Sequence, residues 1–157
     1  TSGRQLCLAD FFQRVGSTRE DVVGLSIVTL GDRCREYEQA LMADNKYTDY
    51  LYFHGLAVET TEALAELTHR RVRQLWGIAG DDATDPDGLF RQQYRGARYS
   101  FGYPACPNLE DQQQLFELLQ PERIGVSLSE EFMLVPEVAT SAIIVHHPEA
   151  RYFSVGE

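Results

Sequence analysis

No proline interrupts the chain between Tyr47 and Trp76, and the pattern over that stretch predicts one long helix, with Gly55 the point where it could break. In its second half Leu64, Leu67, Arg71/Val72 and Leu75 recur at three- and four-residue steps and form the expected apolar face. Glu62, Glu66, Arg70 and Arg73 fall on other sides, with Glu66 and Arg70 spaced for an i,i+4 ion pair. Ahead of this helix, residues 22–30 are nearly continuously apolar and rich in β-branched side chains, as in a strand covered on both faces. Gly31 and Asp32 then open a polar helix that runs to about Asn45.

Beyond the long helix, residues 81–88 read as a loop, with Pro86 at the first position of a short helix. The segment 96–107 is punctuated by glycine and proline and reads as an ordered loop. Asn108 caps a further helix. Glu110 and Asp111 complement its dipole, Leu115, Phe116, Leu118 and Leu119 supply its buried side, and Pro121 stops it. The remainder reads as strands at 124–128, 132–135, 141–146 and 152–155, with turns at Pro136-Glu137 and Pro148-Glu149. Helices precede strands here instead of alternating with them. The expectation is an α+β fold, long helices packed on a twisted, mainly antiparallel sheet, in a single domain over residues 1–157.

Charge narrows the partners. With 24 acidic against 14 basic residues the net charge is −10, and Lys46 is the only lysine. Nucleic-acid binding needs clustered Lys and Arg and is not expected. Anionic lipid lacks a polybasic tract to meet, and no apolar run approaches the roughly 20 residues of a membrane span. Cys7, Cys34 and Cys106 are too few and too scattered for a disulfide framework, which suggests a reducing, cytoplasmic setting. The start at Thr1, without an initiator Met or a signal peptide, reads as a cut end within a longer protein.

Several familiar chemistries are absent from the pattern. Gly31-Asp32-Arg33-Cys34 follows a strand but has one glycine where a dinucleotide fingerprint needs three. His54, His69, His146, His147 and the cysteines lack metal-ligand spacing, and Cys106, between Ala105 and Pro107, has no adjacent base. The unusual segment is 95–107. There Arg98 could clamp a carboxylate, Gly102 could let the chain approach a ligand closely, and Tyr103 could offer a ring face with a polar tip. The same residues also suit a tight aromatic turn with a surface arginine.

Arg98, followed by Gly102-Tyr103-Pro104-Ala105-Cys106-Pro107, resembles the signature of the S-adenosylmethionine-binding activation domain of cobalamin-dependent methionine synthase. Leu8-Ala9-Asp10-Phe11-Phe12, the run from Ala65 to Arg73 with Trp76-Gly77, the run from Leu128 to Leu134 with Pro136, and the run from His147 to Phe153 resemble other parts of that family in the same order. The resemblance implies an α+β module at the C-terminal end of a multidomain enzyme. It would present S-adenosylmethionine to cobalamin held mainly by another domain, while a flavodoxin-type protein delivers an electron that restores methylcobalamin. The corrin-binding Asp-x-His-x-x-Gly motif does not occur in this chain.

Residue by residue, the resemblance places Arg98 on the ligand's methionine carboxylate and Gly102 and Tyr103 in the same loop, with Tyr103 toward the corrin. Ser100 stands where some members have alanine, so a backbone contact there survives the change. Glu62 corresponds to a helix carboxylate near the ligand, and reads equally well as a solvated helix charge. Tyr152 and Phe153 correspond to a pair closing on the adenosyl part, and read equally well as edge-strand aromatics. His147 before Pro148 reads as a strand-end turn and not as a cobalt ligand. The family module is longer than this chain, and the part expected before Leu8 carries an acidic residue for the ligand's ammonium; weak ligand binding by this chain alone is the expectation. Methyl transfer to homocysteine is not expected of it, since the homocysteine-zinc and folate domains are absent. A stand-alone, non-catalytic module that binds a corrinoid protein and assists its repair is the alternative, and a generic nucleotide-binding α+β domain the third reading. A docking surface for the electron donor would need local basic residues such as Arg70, Arg71 and Arg73.

Overall fold

The chain is described by a computed structural model over residues 7–151. Strand β1 (Gly24–Thr29) starts later than its apolar run, since Val22 and Val23 are exposed and the Val22 amide donates to the Asp21 side chain. β2 (Ala97–Ser100) lies in the segment expected to be loop. Its Ala97 and Tyr99 are buried while Arg98 and Ser100 are half-buried, the period-two alternation of a strand. β3 (Ser127–Leu128) and β4 (Leu134–Val135) form a separate antiparallel pair, shorter than expected. β5 (Ala139–Val145) is the central strand of a three-stranded antiparallel sheet of order β1-β5-β2. Its register sets Gly24 opposite Ile144, Ala97 opposite Val145 and Ser100 opposite Ala142. The strand expected at 152–155 lies outside the described residues.

Four α-helices lie among the described residues. α1 (Asp32–Ala43) follows Gly31, whose amide donates to Thr29 Oγ1 at 2.9 Å. α2 (Tyr47–Leu75) is unbroken at Gly55, which is exposed and meets nothing within 4 Å. One glycine in a helix interior costs about 1 kcal/mol, too little to stop a helix packed along its length. At 1.5 Å per residue α2 is about 43 Å long, and it packs on α1, β1 and β5. α3 (Pro86–Phe90) starts as expected, with Pro86 in its first turn and Asp85 accepting from the Gly88 amide at 2.8 Å. α4 (Gln112–Leu119) follows a 3₁₀ turn at Leu109–Asp111 capped by Asn108, and ends at Gln120 in the left-handed region just before Pro121. Of its expected apolar side Leu115 and Phe116 are buried, but Leu118 is exposed.

The buried face of α2 is not the leucine stripe the spacing suggests. Ala57, Thr61, Ala65, His69 and Arg73, at four-residue steps, are buried, whereas Leu67 and Leu75 are exposed. Small residues in the first three places let the helix lie close to its neighbours, with Ala57 packed beside Cys34 and Val138. A second cluster joins Phe11, Ala97, Tyr99, Val145 and Ala150, with Leu8, Phe12, Ala105 and Ile143 packed against it. Among the described residues no helix is long and apolar enough to cross a membrane.

Candidate functional site

Glu62 on α2 and Arg98 on β2, 36 residues apart in sequence, meet where the helix crosses the sheet edge: Arg98 Nη2 donates to Glu62 Oε2 at 3.2 Å. The Arg98 side chain is 16% exposed and that of Glu62 51%. Arg98 Nη1 is buried and has no hydrogen-bond partner among the described residues. A buried donor left unpaired costs about 1–3 kcal/mol, so this guanidinium carries one unanswered donor beside its Glu62 contact.

Two clefts open on either side of Glu62. The first, about 480 Å³, includes Glu59, Glu62, Glu66, Phe90, Tyr94 and Arg98 in its walls. The second, about 270 Å³, is walled by Glu62, Phe101, Tyr103, Met133 and Val138 among others. Tyr103 is half exposed at its rim. The loop carrying it is pinned by backbone bonds from the Gly102 amide to Cys106 O at 2.9 Å and from the Cys106 amide to Tyr103 O at 2.8 Å. Gly102 has φ +84° and faces Leu109, whose Cδ2 would lie 3.1 Å from an added Cβ, so both conformation and space favour glycine there.

Of the expected site residues, the fold therefore brings Glu62 and Arg98 into contact and sets Gly102 and Tyr103 beside the second cleft. Ser100 ends β2 opposite Ala142, off the lining of both clefts. Tyr152 and Phe153 lie outside the described residues. His146 and His147 are engaged elsewhere. His146 Nε2 pairs with Asp21 at 2.5 Å, a hydrogen bond that holds the Asp21 carboxyl down at about 2. The His147 ring lies against Phe11, and its carbonyl accepts from the Ala150 amide at 3.0 Å, a turn at the strand end. Cys34 and Cys106 are buried and burial pushes both thiols up, while Cys7 is exposed. Among the described residues no cluster of His, Cys, Asp and Glu could hold a metal ion.

Behind the first cleft sits a polar network that the leucine-stripe reading of α2 missed. Arg73 is wholly buried: its Nε donates to Asp82 Oδ2 at 3.0 Å, its Nη2 lies 2.9 Å from the same oxygen, and its Nη1 is 3.6 Å from Glu66 Oε1. The expected Glu66–Arg70 pair is replaced by this longer-range one, because Arg73 turns inward. Tyr94 Oη donates to Glu66 Oε2 at 3.1 Å, and the Tyr94 ring lies under the Arg73 guanidinium, 3.7 Å from centroid to Cζ. Burial first, then the Glu66 charge, pushes the Tyr94 phenol well above its ordinary range. The sequence signal for this network is the polar residues at the four-residue spacing of the helix's buried stripe.

His69 completes the stripe. It is fully buried, edge-on to Tyr94, and neither ring nitrogen has a hydrogen-bond partner among the described residues. Burial, then the charges of Arg73 and Arg98, depress its imidazole to about 3. The unfolded chain takes up this proton near 6.5, the folded chain only near 3, so acid favours the unfolded chain throughout that window. Stability should therefore fall as the pH drops from about 7 to 5, and His69→Leu should flatten that slope. Urea midpoints at the two pH values check this, and equal slopes in the two proteins would refute it.

An α+β domain with charge-walled clefts between a long helix and an edge strand is the class these features define. Within it, the chain belongs to the family described as "Vitamin B12 dependent methionine synthase, activation domain", whose model matches residues 1–157. It is 48% identical over 163 residues to the methionine synthase of Mycobacterium tuberculosis (strain ATCC 25618 / H37Rv), and 47% identical to that of Mycobacterium leprae (strain TN). Each match covers 98% of this chain but 14% of the relative's length. Among solved structures, the crystal structure of the MetH reactivation domain bound to AdoHcy superposes with a TM-score of 0.90 at 33% identity, over 96% of this chain and 47% of that one.

Proposed function

We propose that this chain is the S-adenosylmethionine-binding part of a methionine synthase activation domain, and that Arg98 clamps the carboxylate of the ligand's methionine portion. The observation that carries the reading is the half-engaged guanidinium at the first cleft, Nη2 on an exposed Glu62 and Nη1 buried without a partner. A bidentate carboxylate uses both nitrogens. It would displace Glu62, which then faces the ligand's positive groups together with Glu59 and Glu66 along the same wall. The likeness to an AdoHcy-bound reactivation domain supports this choice of ligand, since AdoHcy shares the amino-acid end.

Backbone at Ser100 and Gly102 and the ring of Tyr103 continue the site toward the second cleft, on the side where the corrin is expected, and Tyr152 and Phe153 close on the adenosyl part. When bound, mainly by another domain, cobalamin would supply the cobalt chemistry of the reactivation. This chain's residues bind and orient the methyl donor and supply no proton or nucleophile to it. The function is thus reductive reactivation within a cytoplasmic methyltransferase of methionine biosynthesis, with a flavodoxin-type donor as partner. Arg73 cannot serve a donor's docking surface because it is wholly buried, which leaves Arg70 and Arg71 of the three considered.

Arg98→Ala should weaken AdoHcy binding roughly 10- to 150-fold, the loss of about 1.5–3 kcal/mol from a charge-assisted bidentate contact. Equilibrium titration of the domain carried in an intact methionine synthase measures it. An affinity within twofold of the parent would remove Arg98 from the ligand's carboxylate.

A further inference from the structure

We infer that Tyr94 is a positioning residue for the Arg98 clamp, acting by holding the Glu66 carboxylate off the guanidinium nitrogen that the ligand needs. The inference rests on the reading of Arg98 as the carboxylate clamp. Glu62 and Glu66 stand one turn apart on α2 and share the wall of the first cleft with Arg98 and Tyr94. Glu62 already holds Arg98 Nη2, and Nη1 is buried without a hydrogen-bond partner among the described residues.

Glu66 carries the matching deficit. Its Oε1 is buried without a hydrogen bond, 3.6 Å from Arg73 Nη1, and its Oε2 is held by the Tyr94 hydroxyl. A buried acceptor and a buried donor bordering one cleft have reason to meet, because each lacks a hydrogen bond where water does not reach it. The hydrogen bond from Tyr94 and the attraction of Arg73 keep them apart. Tyr94 is fit to impose this, as its ring is fixed between the Arg73 guanidinium and the edge of His69. Released from Tyr94, Glu66 would take Nη1, and a ligand carboxylate that displaces Glu62 would then find Nη2 alone, losing the bidentate contact.

Tyr94→Phe keeps the ring and its cation–π partner but removes the donor. In an intact methionine synthase carrying this domain, AdoHcy affinity should fall about tenfold in Tyr94→Phe and return to within twofold of the parent in Tyr94→Phe/Glu66→Gln, whose neutral amide does not compete for a cation. Binding of 5′-methylthioadenosine, which has the nucleoside but no amino-acid end, should be unchanged by Tyr94→Phe. The inference is overturned if Tyr94→Phe leaves AdoHcy affinity within twofold, if the double variant gives no recovery, or if both ligands weaken alike, as a merely structural disturbance would produce. Arg98→Ala run in parallel separates the two levels. Loss of AdoHcy affinity there with any of those outcomes sinks only the role of Tyr94, whereas no loss sinks the clamp and this inference with it.

Discussion

Arg73→Met should remove a large part of the domain's stability, about 3–5 kcal/mol, the cost of taking one partner from a buried ion pair. Whole domains are stable by only about 5–15 kcal/mol, so the variant should unfold at a much lower urea midpoint, if it folds at all. Methionine is the informative replacement because it is apolar and long enough to fill much of the space left by the arginine stem. What it cannot do is answer Asp82, whose side chain is 5% exposed, accepts from Arg73 Nε and lies 2.9 Å from Nη2. It also leaves Glu66 Oε1 without its nearest cation and uncovers the face of Tyr94. Arg73→Lys should recover little, since one ammonium cannot reproduce a fork that spans Asp82 and Glu66 together. Arg73→Met/Asp82→Asn should recover a good part, because the stranded charge is then gone. A loss below about 1 kcal/mol in Arg73→Met would mean that water reaches Asp82 and that the network holds nothing together.

That arginine also shows where the sequence stops being legible. The extent of α2 can be read to within a residue, because a proline-free run with helical spacing is a local property. Its buried face cannot, since which stripe turns inward is decided by what lies across from it. Leu67 and Leu75 look like core by composition, but a long helix lying close to a sheet favours Ala57, Thr61 and Ala65 at the contact, and the end of the stripe is filled by His69 and Arg73. β2 was hidden for a related reason. Ala97-Arg98-Tyr99-Ser100 has no β-branched residue, and it becomes a strand by pairing with β5, more than forty residues later in the chain. Of the candidate site, Arg98, Gly102 and Tyr103 were visible through a resemblance in one short segment. That resemblance named Glu62 as a helix carboxylate near the ligand but not its contact with Arg98, and the couplings of Glu66 to Tyr94 and of Arg73 to Asp82 reach partners outside the helix that spacing along it does not identify.

Gly96→Ala should be the most damaging single methyl group in this fold, costing about 2–5 kcal/mol. The figure joins about 1–2 kcal/mol for holding an L-residue at positive φ to about 1–3 kcal/mol for overpacking. Gly96 has φ +89°, and a Cβ built there falls 2.4 Å from the carbonyl oxygen of Val145 and 3.3 Å from His146 Cα. Those atoms are backbone, so no side chain can swing away, and relief requires the end of β5 and the start of β2 to part. The next residue, Ala97, pairs with Val145, and Arg98 follows it. Parting the strands at this point would therefore move the guanidinium relative to Glu62 as well as weaken the sheet. Two readouts should shift together: a lower urea midpoint, and weaker AdoHcy binding under conditions where the variant is still folded. Gly77→Ala isolates the conformational part. Gly77 has φ +69° but nothing within 4 Å of an added Cβ, so about 1 kcal/mol is expected there and no change in ligand binding. If the two substitutions cost the same, the close approach of β2 to β5 at Gly96 is not what fixes Arg98 at the mouth of the cleft.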